Sequence, residues 1–213
     1  MIAGMATIYN RIAGESIERI AALSDGVFAV AMTLLVLDLK APVESAIHTE
    51  GDLWRGLVAL APRLLVYMMS FVTLSIFWVG QQTQLNQHTR ADRDLAWLHL
   101  IFLFTITLMP FSTGLIGEFI EYRVALLVYW LNILLPGAML YASWGYATRA
   151  KLLREDISPE RVAAICRRIV IAQALYAFGA ALCVFNTWCS IGVIVVVQLN
   201  YAIAPRMGVL GRI

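Results

Sequence analysis

From Ile17 to Ala204 the sequence consists of apolar runs about as long as a bilayer is thick, separated by short polar segments. A helix needs roughly 20 apolar residues to cross the hydrocarbon. Inside it there is no water for the backbone, and a helix closes its own hydrogen bonds. Six spans are predicted, over residues 17–39, 62–82, 94–115, 124–146, 163–185 and 188–204, in a single transmembrane domain covering 1–213. The fold class expected is all-α, a polytopic membrane protein. Composition agrees, with 61% hydrophobic residues, 14% charged residues and a mean hydropathy of +0.76.

Local signals mark the ends of these spans. Ser16 before Ile17-Glu18-Arg19 offers a hydroxyl cap with an acid in the first turn, and Pro42 follows the end of the span. Pro62 suits a first helical turn and leaves Arg63 at the interface, where it can snorkel. Leu53, Trp54, Leu57 and Val58 form an interfacial approach to that span. Pro110 is placed to kink the third span, and Pro136-Gly137 to interrupt the fourth. The short turn at Asn186-Thr187 makes the last two spans antiparallel neighbours.

Charge gives the chain a direction. Arg11, Arg19, Arg90, Arg93, Arg149, Lys151, Arg154, Arg161, Arg167, Arg168, Arg206 and Arg212 fall on one side of the predicted spans. The other side holds Lys40, Arg55, Arg63 and Arg123 among several acids. The positive-inside rule then puts both termini in the cytoplasm of a multi-pass cell-membrane protein, with membrane lipids as its surroundings. Met1 to Glu15 lacks the pattern of a signal peptide, so the first span is expected to be a retained anchor. A net charge of +2 gives no reason to expect a nucleic-acid partner. Cys166, Cys183 and Cys189 lack metal-ligand spacing and read as packing residues.

Polar groups inside apolar spans are costly and need partners. The first span carries Arg19, Ser24 and Asp25. At about 100° per residue Arg19 and Ser24 are roughly 500° apart and Ser24 and Asp25 roughly 100°, so the three must meet groups from several helices. His99, about one turn into the third span, is a candidate interhelical partner for Asp25. His48 and His88 fall in loops and are expected to be solvated, while Asn132, Gln173 and Asn200 are expected to bond between helices. No nucleotide loop, paired metal-binding histidines or activated nucleophile is seen, so neither an enzyme nor a cofactor or metal site is expected.

Val30, Leu34 and Leu37 recur at i, i+4 and i+7, with Thr33 beside them. Such a stripe is ordinarily a packing face. Where it meets its own copies around a symmetry axis, it instead forms stacked apolar rings that gate by dewetting, with a threonine ring offering oxygens to a cation. A back-bond from Thr33 to the Ala29 carbonyl needs no pore at all.

The spacing of Arg19, Ser24, Asp25 and Ala29 resembles the first-helix signature of the transmembrane protein 175 family of potassium channels, with Leu23 where the family usually has phenylalanine. Ser70-Phe71 with Phe77-Trp78 resembles the family's second helix. Asp92-Arg93-Asp94-Leu95 through Leu108-Met109-Pro110-Phe111 resembles its third. Gln81 and Gln82 stand where members often have histidine. The resemblance implies a homotetramer in which the first helix of each copy lines a central pore. It makes Val30, Leu34 and Leu37 the constriction and gate, Thr33 the selectivity ring, and Arg19, Ser24, Asp25 and Ala29 the motif that poses the pore helix. A potassium-permeable, weakly selective cation channel is the function implied, with potassium ions as the permeant species. A proton-permeable channel of the same family and a secondary transporter are the alternatives, although a transporter's inverted repeat is not seen.

Overall fold

The structure is a computed structural model that describes residues 16–203. The expectations for Met1 to Glu15, Arg11, Ala204, Arg206 and Arg212 lie outside the described residues. Among the described residues the secondary structure is helical, apart from one isolated bridge between His88 and Leu153. Eight α-helices lie among the described residues: α1 Ile17–Leu34, α2 Glu50–Ala59, α3 Ala61–Leu85, α4 Arg93–Thr107, α5 Met109–Glu118, α6 Arg123–Arg149, α7 Pro159–Ala181 and α8 Thr187–Ile203. Short 3₁₀ turns extend α1 over Leu35–Asp38 and α7 over Leu182–Val184.

Among the described residues five stretches are long and apolar enough to cross a membrane: Ile17–Asp38, Ala61–Leu85, Arg93–Glu118, Arg123–Arg149 and Pro159–Val184. The described part of α8 is a shorter apolar helix. Helix starts follow capping chemistry. The Ser16 hydroxyl accepts from Arg19 N, Asp92 from Leu95 N and Ser158 from Arg161 N, each satisfying a backbone donor that the first turn leaves open. The amphipathic α2 carries Leu53, Trp54, Leu57 and Val58 exposed, ahead of α3.

The third span is broken. Pro110 has no N–H to give Ile106, and α4 stops at Thr107 before α5 restarts at Met109. Asn132 of α6 sits against this break. With its amide turned so that both ends are satisfied, Nδ2 donates to Thr105 O at 3.2 Å, while Oδ1 accepts from Met109 N at 3.2 Å and Ser112 Oγ at 3.1 Å. That orientation is preferred because it pairs a carbonyl and an N–H at the break. The expected interruption of the fourth span is absent, for α6 continues through Pro136. Gly137 instead serves close approach, since a Cβ there would overlap the Gln173 amide of α7.

A second polar cluster lies at the centre of the bundle. Gln198 Nε2 of α8 donates to Thr73 Oγ1 at 2.6 Å, Thr73 Oγ1 lies 3.2 Å from the Tyr129 hydroxyl, and Ser70 Oγ donates to Tyr129 at 3.3 Å. Thr113 Oγ1 of α5 lies 2.8 Å from Ser70 Oγ. Four helices are thereby joined through α3. The bundle ends are tied as well. Thr89 N donates to Leu152 O and Arg154 N to Gln87 O, linking the α3–α4 and α6–α7 loops, while Arg63 pairs with Glu118 at 2.5 Å at the opposite end.

Replacing Asn132 by Leu leaves the α4–α5 break without its bridge. The variant is expected to assemble but to lose about 1–2 kcal/mol, read as a lower thermal unfolding midpoint in detergent. An unchanged midpoint would show that the break needs no bridge.

Candidate functional site

Helix α1 has two unlike faces. Ser24, Phe28, Ala31 and Leu35 are buried against the rest of the chain. The face roughly opposite, at about 100° per residue, carries Val30, Leu34 and Leu37, which are 57%, 43% and 67% exposed. Thr33, Ala29 and Arg19 are exposed too. The 3₁₀ turn over Leu35–Asp38 changes the geometry of the stripe, because residues three apart eclipse in such a turn and Leu37 is drawn toward line with Leu34. At this end Gly114 makes room for Asp38, whose Oδ2 lies 2.9 Å from where a Cβ on Gly114 would stand.

The buried face is held by a directed chain of hydrogen bonds. Ser24 Oγ donates to Ile20 O at 2.8 Å and accepts from Gln81 Nε2 at 3.0 Å. The second amide hydrogen of Gln81 points to His99 Nδ1 at 3.3 Å, which makes that nitrogen the acceptor and places the ring proton on Nε2. Asp25 is reached from the side by two neutral donors. Trp78 Nε1 donates to its Oδ1 at 2.8 Å and Gln82 Nε2 at 3.0 Å. His99 is therefore an interhelical partner of Gln81, and Asp25 takes its partners from α3 instead. The Arg19 side chain has no partner among the described residues. Thr33 Oγ1 bonds back to Ala29 O at 3.0 Å and Val30 O at 2.8 Å.

His88 departs from expectation. It is 8% exposed, its Nδ1–H donates to Gln84 O at 2.7 Å, and its ring lies edge-on to Trp144 and His99. Burial pushes its pKa below the ordinary value, so the neutral ring is favoured. The loop between α3 and α4 is folded back onto α6 by the Thr89–Leu152 and Arg154–Gln87 bonds, and that covers the ring. Sequence reading also missed Trp78 and Gln82 as the partners of Asp25. The available signal was a pair of adjacent amides, Gln81-Gln82, inside an otherwise apolar span. Gln173 contributes less than expected, with its Oε1 buried and unpartnered. The three cysteines are free thiols.

This geometry can be set beside known proteins. Residues 19–110 match the family described as endosomal/lysosomal potassium channel TMEM175. A potassium channel of Chamaesiphon minutus is 33% identical over 190 residues, spanning 87% of this chain and 93% of the relative. The chain belongs to the TMEM175 family. The crystal structure of a lysosomal potassium-selective channel TMEM175 homolog from Chamaesiphon minutus superposes with a TM-score of 0.78 at 30% identity, covering 88% of this chain and 96% of that one. The human relative, an endosomal/lysosomal proton channel TMEM175, is 27% identical over 80% of this chain, a match that takes in 34% of its own length. Within the TMEM175 match fall α1, α3 and the start of the broken third span, the elements that carry the Ser24–Gln81–His99 chain.

Because the donors to Asp25 are neutral, Asp25→Asn keeps an acceptor for Trp78 and Gln82 and is expected to retain assembly and thermal stability close to the wild type. Asp25→Leu strands both donors and is expected to cost about 1–3 kcal/mol, read as a lower unfolding midpoint. Equal stability of the two variants would mean that these bonds contribute nothing.

Proposed function

We propose that this chain is a potassium-permeable, weakly selective cation channel. In this reading four copies place α1 around a central axis, and the chain crosses the cell membrane six times with both termini in the cytoplasm. The observation that carries the proposal is the two-faced α1. Its buried face is locked to α3 and α4 through Ser24, Gln81 and His99, and that lock turns Val30, Thr33, Leu34 and Leu37 out of the subunit. A lipid-facing helix has little use for such a lock. A pore helix does have use for it, since ring geometry depends on rotation about the helix axis. The naming of the Chamaesiphon minutus and Streptomyces collinus relatives as potassium channels supports the same reading.

Arg19, Ser24, Asp25 and Ala29 then act as the posing motif, Val30, Leu34 and Leu37 as the constriction and gate, and Thr33 as the selectivity ring. Rings of branched apolar side chains hold a narrow pore dry, and the barrier to an ion is the water it must shed there. The sidedness rests on charge. The two hydrogen-bonded loops after α3 and α6 carry or adjoin Arg90, Arg93, Arg149, Lys151 and Arg154, and an excess of basic residues marks the cytoplasmic face. The sixth crossing is α8, antiparallel to α7 through the turn where Asn186 Oδ1 caps Trp188 N at 2.7 Å.

Two measurements in planar bilayers test this. Leu34→Ser wets the constriction and is expected to raise single-channel conductance and weaken discrimination between potassium and sodium. Unchanged current from a correctly assembled variant would remove α1 from the pore. Thr33→Val keeps the shape and removes the hydroxyl, so the bi-ionic reversal potential should shift toward sodium permeation. An unshifted potential with intact current would leave Thr33 as a packing residue.

A further inference from the structure

Helix α7 packs on α6 and α8 and stands off from α3. The space between is a cleft of about 440 Å³. This volume is in the range of small-molecule sites. Its walls are apolar, from Ile76 and Val79 of α3, Leu140 of α6, and Ile165, Ile169 and Ala172 of α7. Gly80 and Gly137 line it without side chains of their own. At one end stands the exposed Arg168, its guanidinium 5.4 Å from the Tyr201 ring centre. A cation over a ring face keeps its N–H groups free for an anion.

Three of the residues that line the cleft each hold a polar atom just beneath its wall with nothing to bond. Tyr176 is 3% exposed and its hydroxyl is unpartnered. Gln84 is 2% exposed; its Nε2 donates to Leu140 O at 3.3 Å, but its Oε1 has no partner. Gln173 Oε1 is likewise unpartnered. Groups left so in a low-dielectric interior are costly, and a ligand that completes them gains what they lack. The requirement is specific: an anion for Arg168, an acceptor for the tyrosine hydroxyl, donors for the amide oxygens and a hydrocarbon body for the walls.

We propose that the α3–α7 cleft binds one anionic phospholipid per chain. The phosphate lies at Arg168, an acyl chain occupies the apolar walls, and Tyr176, Gln84 and Gln173 in the lining turn their unpartnered atoms to the ester carbonyls and head-group hydroxyls. Basic pockets between transmembrane helices recognise anionic head groups in this manner. The end of the cleft at Arg168 is on the side of the bundle where Arg161 and Arg167 also lie, at the start of α7. Only the choice of leaflet rests on the sidedness proposed above; the site does not.

The test is native mass spectrometry of the purified full chain, titrated with dioleoyl phosphatidylglycerol or dioleoyl phosphatidylcholine. Phosphatidylglycerol should bind saturably, at one per chain, and more tightly than phosphatidylcholine. Arg168→Gln, at an exposed position that leaves the fold alone, should weaken phosphatidylglycerol about fivefold, the equivalent of about 1 kcal/mol for one basic group, and leave phosphatidylcholine unchanged. Tyr176→Phe should also weaken retention, and Ala172→Trp should fill the cleft and abolish saturable binding. Equal binding of the two lipids by the wild type would overturn the proposal, as would indifference of phosphatidylglycerol to both Arg168→Gln and Tyr176→Phe. So would an Ala172→Trp protein that loses its oligomer but keeps its lipid, because the cleft would then belong to a neighbouring copy.

Discussion

A polar side chain inside a bilayer has to seek its partner within the protein, and in this chain the amide nitrogen of Gln81 links three helices at once. One amide hydrogen goes to Ser24 and the other to His99, and the Ser24 hydroxyl in turn donates to the Ile20 carbonyl. Lipid tails are as apolar as leucine, so apolar contact alone gives helices little reason to associate in one rotation over another. Directed hydrogen bonds do give one. A turn of α1 by a single residue, about 100°, would bury part of the Val30, Leu34 and Leu37 stripe and pull Ser24 out of reach of Gln81. The orientation of the exposed stripe is thus set by atoms that never touch it.

Helix α3 extends this logic along the membrane. Gln81 meets α1 and α4 near one end. Ser70 and Thr73, roughly 12–16 Å away at 1.5 Å per residue, meet α5, α6 and α8 through Thr113, Tyr129 and Gln198. Two polar levels on one helix fix its neighbours in register as well as rotation. Helix α7 shares in neither level, and its apolar stretch is the least buried of the five long ones. It is held mainly by packing on α6 and α8, and this is why a cleft can persist between it and α3.

The apolar runs were legible because their length has one physical meaning in a bilayer, and the helix caps because Ser16, Asp92 and Ser158 act within their own first turns. What sequence did not show were pairings across helices. Asp25 and His99 looked like natural partners by charge, yet each is served by a different amide of α3, since partner choice depends on helix rotation that no single sequence encodes. His88 looked solvated because its loop position was visible and the folding back of that loop was not. Pro136 looked like a break because proline removes a backbone donor. It did not break α6, where neighbouring helices supply the packing that holds the chain helical, while Pro110 did break the third span, where Asn132 was at hand to bridge the freed groups.

At Thr33 a local bond and the proposed selectivity role are compatible. Its hydroxyl hydrogen is taken by the carbonyls one turn back, at Ala29 and Val30. A hydroxyl that donates inward keeps its lone pairs for an acceptor role, which is the role a cation needs from it. The back-bond is therefore compatible with the ion ligation proposed for Thr33. One hydroxyl per chain still supplies few oxygens compared with a filter of stacked carbonyls, so ligation alone cannot replace an ion's water. In the proposed pore the neighbouring Leu34 and Leu37 would add the other half, a dry passage in which shedding water is penalised more for the ion that holds it more tightly. Discrimination of that kind grows with the narrowness of the apolar rings and is bounded by the small number of oxygens beside them.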